Sequence, residues 1–253
     1  MAFGPFCYLD SQQLIDKLFE LGAHFGYAPS RRHPSTSGYI FGAKGGTEIF
    51  DLEKTAGLFA DALEAVKALA AARKTILFVG GKAEAREAVV RAAQRVAMPY
   101  VASRWIGGSL TNFSEIKKRL ARLAEITQMH ETGESAKFTK MERLLIDREA
   151  ADLERMFGGL KGMTKLPDAL FIIDPRQESG AVAEARQLNL PIIALMNSDC
   201  DRSPVNHPIP GNDASVRVIS YVLGEAAKTY ADNLGTAPAP APEAETAPAI
   251  AQA

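Results

Sequence analysis

The sequence predicts an α/β protein: an open parallel sheet of about five strands, with an antiparallel helical hairpin inserted between the second strand and the third. Three observations carry this. Short, apolar, partly β-branched runs recur at Thr75–Val79, Ala169–Ile173 and Pro191–Leu195, as in strands buried on both faces. The first two break at Gly80-Gly81 and at Asp174, then lead into helical patterns at about Ala83–Ala97 and Gly180–Leu188, which makes them βα units. Between about Thr111 and Phe157 the apolar spacing becomes three and four, the period of packed helices.

In chain order, Ser11–Gly22 carries Leu14, Leu18 and Leu21 at helical spacing, with Ser11 as N-cap and Gly22 as stop. Residues Ala23 to Gly46 are rich in Gly, Pro, Ser and Arg. They read as an extended arm with no way to bury itself, carrying short strands at Tyr39–Phe41 and Glu48–Phe50. Asp51 caps an Ala-rich helix to about Ala72. Shorter strands at Pro99–Val101 and His207–Ile209 complete the sheet. In the insertion, Phe113, Ile116, Leu120 and Leu123 face Met141, Leu145 and Leu153 across polar His130–Lys137, a seam of coiled-coil type. The last helix spans about Asn212–Asn233, with Asn212 or Asp213 as cap. The expected domains are therefore residues 1–110 with 158–234 as the α/β body and arm, 111–157 as the hairpin, and 235–253 as a disordered Ala/Pro-rich tail.

Net charge is −1 over 253 residues, but it is unevenly spread. Lys67–Arg95 holds seven basic residues against two acidic, and Lys17–Gly46 holds four against one; phosphate responds to this local charge. No apolar run approaches a membrane span, and no signal peptide is evident at the N-terminus. Cys7 and Cys200 fit no metal-ligand spacing and read as free thiols in a reducing cytoplasm.

The motifs offer several chemistries. Val79-Gly80-Gly81-Lys82 lacks the spacing of a phosphate loop and of a dinucleotide fingerprint; at a helix N-terminus Lys82 is a candidate for a backbone phosphate. Asp174, Asp199 and Asp213 are candidates for Mg²⁺ if they gather at the carboxyl edge of the sheet. His24, His33, His130 and His207 form no catalytic pair, and no nucleophile motif is present. Arg104-Trp105-Ile106-Gly107-Gly108-Ser109-Leu110-Thr111-Asn112-Phe113 holds the only tryptophan. Trp105, Gly107, Gly108 and Asn112 are expected to form the hairpin base, with Thr111 or Asn112 capping its first helix. Arg104 and Trp105 could instead meet RNA.

That last segment resembles the signature of bacterial ribosomal protein S-two. Leu21-Gly22-Ala23-His24-Phe25-Gly26, Tyr39-Ile40-Phe41-Gly42, Ile49–Thr55, Ile76–Gly80 with Lys82, Met98–Val101, Gly158–Lys161, Leu166–Leu170 and Ile209–Asp213 follow in family order. The resemblance implies a flavodoxin-like fold with a coiled-coil hairpin and a structural, non-enzymatic role in the small ribosomal subunit. It implies 16S ribosomal RNA as partner, with neighbouring subunit proteins, ribosomal protein S-one among the candidates, and neither DNA nor membrane. It places the protein in the cytoplasm, on the ribosome, with no cofactor apart from the Mg²⁺ candidate above. The alternative is a Rossmann-like enzyme acting on a phosphorylated small molecule.

The chain departs from the family pattern at Tyr27, where a second histidine is usual, at Arg31-Arg32-His33, where Arg-Arg-Trp is usual, and at Gly81, where a small hydroxyl residue is usual. The residues expected to contact RNA are Arg31, Arg32 and Lys44 in the arm, Lys82, Arg104, and Lys117 and Lys118 on the hairpin, whose basic cluster extends to Arg119 and Arg122.

Overall fold

The computed structural model describes residues 8–133 and 138–234. Cys7 and the Ala/Pro tail lie outside them. Helix α1 (Tyr8–Leu21) starts three residues before the expected cap, Ser11, and ends at Gly22, whose φ of 80° only glycine adopts readily. A two-stranded sheet follows, β1 (Ile40–Lys44) and β2 (Thr47–Phe50). Asp51 caps α2 (Leu52–Ala71), accepting from the backbone N–H of Glu53 and Lys54.

The main sheet contains β3 (Ile76–Val79), β4 (Tyr100–Val101), β5 (Ala169–Ile173), β6 (Ile192–Met196) and β7 (His207–Pro210), all parallel, in the order β4-β3-β5-β6-β7. With the sheet strands numbered along the chain this is the flavodoxin-like order, so the predicted class holds. Helices α3 (Ala83–Arg95), α6 (Ser179–Gln187) and α7 (Val216–Asp232) provide the crossovers and the closing element. Alternate strand residues face opposite layers. Ile76, Phe78, Phe171 and Ile193 pack with α1, α2, α3 and α7; Leu77, Val79, Leu170 and Ile172 pack with α6 and the inserted helices.

The insertion forms α4 (Phe113–Glu131) and α5 (Lys140–Phe157). Arg122 meets Glu149 while His130 meets Asp147, so the two helices run antiparallel. The α4 seam is as expected, with Phe113, Ile116 and Leu123 buried and Leu120 partly so. The α5 seam differs. Met141 is 62% exposed and Leu145 53%, while Ile146, Ala150, Leu153 and Phe157 turn inward at spacings of four, three and four. α5 carries two apolar stripes, and the one continuous with the sheet core is the one buried.

α7 begins at Val216, and its N-cap is Ser215, whose hydroxyl accepts from Val218 N–H. Asn212 and Asp213 are committed elsewhere: the Asn212 amide donates to the Gly22 carbonyl, and Asp213 points into the sheet edge.

Candidate nucleic-acid interface

The arm is docked on the body through its backbone, contrary to expectation, while most of its residues stay exposed or half-buried. Residues 24–27 pair with β2 through Gly26 N–H to Glu48 O at 2.8 Å and Phe50 N–H to His24 O at 2.8 Å. The arm then crosses the carboxyl edge of the main sheet and is held chiefly by Ser198, with Arg202 N–H donating to the Ser35 hydroxyl at 3.0 Å. The Ser198 hydroxyl accepts from Tyr27 N–H at 3.1 Å, and its carbonyl accepts from His33 N–H and the Thr36 hydroxyl, both at 2.8 Å. Proline and glycine had suggested a free segment, but its backbone donors find partners on a loop more than 160 residues away.

This docking sets out the arm's charges. Arg31 lies over the Tyr27 ring, 4.4 Å from its centroid, and reaches Asp199 at 3.4 Å. Asp199 also binds Arg176 at 2.6 Å. Arg32 sits 3.2 Å from Glu48, a carboxylate only 1% exposed. The guanidiniums of Arg31, Arg32 and Arg176 line a cleft of about 470 Å³ with His33, Asp199 and Asp201. Lys44 is exposed at the end of β1, and no ion-pair partner is seen for it among the described residues. Arg176 was not singled out from sequence, where it was one arginine in a loop.

In this strand order a ligand crevice would open between β3 and β5. Here side chains fill it. Lys82 Nζ lies 3.3 Å from Asp174, 3.1 Å from Asp213 and 3.3 Å from the Tyr27 hydroxyl. Burial works against its charge, but Asp213 and Asp174 outweigh it and hold its pKa above the ordinary lysine value. Burial and the neighbouring Asp174 push Asp213 up to about 6, against the Asn197 amide and Lys82. A lysine held between two carboxylates keeps its proton, so an ammonium stands at the centre of the site. Lys82 therefore points inward, not toward a phosphate. Asp174 and Asp213 converge on an ammonium in place of Mg²⁺, and Asp199 turns away to two guanidiniums. No group of three His, Cys, Asp or Glu able to hold a metal forms among the described residues. Cys200 is buried beside Asp174, and burial raises its thiol pKa.

Glu178 closes the rest of the crevice, accepting from Gly81 N–H at 2.9 Å. A Cβ at Gly81 would lie 2.7 Å from the Ser103 carbonyl oxygen and 2.8 Å from Glu178 Oε1. Position 81 therefore has no room for a side chain unless the Ser103 backbone or Glu178 moves.

The Arg-Trp loop is organised by Glu184 on α6, which sequence reasoning missed. Its Oε1 accepts from the Trp105 indole at 3.0 Å and Gly108 N–H at 2.8 Å; its Oε2 accepts from Leu110 N–H, Thr111 N–H and the Thr111 hydroxyl at 2.9, 3.0 and 3.1 Å. Burial opposes ionisation of Glu184, but these donors outweigh it and its pKa lies below the ordinary glutamate range. Gly108 takes φ 87°, open to glycine. Trp105 wedges against Gly180, where a Cβ would come within 3.1 Å of its ring. Asn112 occupies the N-cap position of α4 without a side-chain cap bond, and Thr111 serves Glu184. Gly107 is exposed beside them. From sequence, Glu184 looked like any glutamate on a surface helix.

On the hairpin, Lys117 lies over the Phe113 ring at 5.0 Å, and Lys118 pairs with Glu115 at 2.6 Å while remaining 73% exposed. Arg122 is locked to Glu149 through two hydrogen bonds. Arg104 is exposed.

Comparison with known proteins gives a consistent result. A family described as Ribosomal protein S2 matches residues 18–233. The "Small ribosomal subunit protein uS2" of Mycobacteroides abscessus is 43% identical over 220 residues, covering 87% of this chain and 79% of that protein. The protein of the same name from Mycobacterium sp. (strain KMS) is 42% identical over 242 residues, covering 94% of this chain and 85% of its own length.

Proposed function

The chain belongs to the ribosomal protein S2 family, and from that premise we propose that it works as a structural constituent of the small ribosomal subunit, binding RNA and neighbouring proteins without catalysis. The observation that supports this best is the filled crevice. Lys82, Glu178 and their partners occupy the place where an enzyme of this fold would hold a nucleotide or phosphorylated substrate. The enzyme alternative has no support in the family's named relatives. Among the described residues no helix is long and apolar enough to cross a membrane.

The RNA partner in this reading is 16S ribosomal RNA, met by Arg31, Arg32 and Lys44 along the arm and by Lys117 and Lys118 on the hairpin. The resemblance adds ribosomal protein S-one as a neighbour. In this reading the body (1–110 with 158–234) anchors the chain and the hairpin (111–157) reaches a second contact. Half-exposed guanidiniums suit bidentate phosphate contacts. Arg32 is a poor probe, because its loss would leave Glu48 buried without a counter-charge. Arg31→Gln with Lys44→Gln is the clean test. Binding to 16S RNA is expected to lose about 0.7–0.9 from its salt slope for each phosphate contact removed. An unchanged slope would remove the arm from the interface.

A further inference from the structure

A second cleft, of about 600 Å³, opens between the sheet domain and the hairpin. Three arginines line it, each from a different element: Arg86 from α3, Arg104 from the loop after β4, and Arg155 from α5. Trp105 and Ile106 add an apolar wall, and among the described residues no carboxylate lines this cleft. Arg155 keeps 70% of its side chain exposed while pairing with Asp152, and Arg86 uses only its Nε inside the fold, donating to Gly81 O at 3.1 Å. Among the described residues no ion-pair partner is seen for Arg104.

We propose that this cleft is a further RNA site that seats the sugar–phosphate backbone between body and hairpin, with Arg86, Arg104 and Arg155 on the phosphates. The inference rests on the reading of the chain as an RNA-binding subunit protein. An anion seated between three guanidiniums offsets their mutual repulsion, which Asp152 relieves only at Arg155. Guanidinium forks match phosphate oxygens, and an aromatic wall suits the sugar or an adjoining base. The arrangement depends on Glu184: its five hydrogen bonds fix the loop that carries Arg104 and joins body to hairpin. Glu184 is thus a positioning residue for the cleft. No single stretch of sequence displays this site, because its cations lie on elements far apart in the chain.

The test uses the full-length chain and 16S RNA, with binding followed across a series of potassium chloride concentrations. Arg104→Gln, which breaks no hydrogen bond or ion pair among the described residues, should lower the salt slope by about 0.7–0.9, and Arg86→Gln/Arg104→Gln/Arg155→Gln by about 2–3. The triple variant should bind at least about tenfold more weakly at low salt. Circular dichroism and melting confirm that each variant is folded; if the triple variant is not, Arg104→Gln decides alone. Unchanged slopes in variants that remain folded would overturn the cleft while leaving the arm's role intact, provided Arg31→Gln/Lys44→Gln still weakens binding. If the cleft variants keep RNA binding but lose association with whole subunits, the cleft takes an acidic protein segment and the proposal is wrong. Failure of the unaltered chain to bind 16S RNA would overturn both readings.

Discussion

Trp105 and Glu184 stand 79 positions apart in the chain and meet at 3.0 Å, indole N–H to carboxylate. The same carboxylate gathers Gly108, Leu110 and Thr111, so a single acid on α6 holds the root of the hairpin.

Removing that acid should be costly. Glu184→Ala leaves the partly buried N–H groups of Gly108 and Leu110, the exposed N–H of Thr111 and an indole without their acceptor, a loss of about 2–4 kcal/mol in chemical denaturation. The folded-state pKa of Glu184 is depressed, so its contribution is complete above the ordinary value of 4.5 and is lost as pH falls through the lower folded value. Trp105 is the chain's only tryptophan, and its fluorescence reports the change directly. An acid titration in which that fluorescence tracks only global unfolding would contradict the local account.

Gly81→Ser, which restores the residue type usual in the family, should destabilise this chain by about 1–3 kcal/mol, because the new Cβ meets the Ser103 carbonyl and Glu178. Melting temperature measures it. A neutral or stabilising result would mean that Glu178 and the Ser103 backbone move aside freely.

Lys82→Met should cost about 3–5 kcal/mol by leaving Asp174 and Asp213 without their counter-ion. Lys82→Met with Asp213→Asn should recover part of that. The salt slope for RNA should be the same for both variants and the parent, since Lys82 faces inward. A reduced slope in a folded Lys82 variant would return this lysine to the interface.

The corrected seam separates two leucines on one helix. Leu153→Ala should cost about 2–4 kcal/mol, and Leu145→Ala, at an exposed position, less than about 0.5 kcal/mol. Equal losses would restore the expected seam.

The contrast between these residues shows what a sequence displays. The strands were legible because Ile76–Val79 and Ala169–Ile173 are buried on both faces and must be apolar throughout. Asp51 was legible as a cap because capping is local. The α5 seam was not, because Met141, Leu144 and Leu145 compete with Ile146 and Leu153 for the apolar stripe. Trp105 and Gly108 leave a local mark in the sequence, as the only tryptophan and as a glycine that takes a positive φ, whereas their common acceptor Glu184 leaves none. The Lys82 pairing was hidden, its partners lying 92 and 131 positions away. The arm's docking was hidden more deeply, because Ser198 holds it largely through its backbone carbonyl.

As a constituent of the small subunit, this chain should rebind particles that lack it. Small subunits stripped of the protein should take up the purified chain at one copy per particle. They should keep it through sedimentation in moderate salt and release it as salt rises, with the release shifted to lower salt for Arg31→Gln/Lys44→Gln. If the chain stays at the top of the gradient while the stripped subunits sediment without it, the scaffold account is wrong.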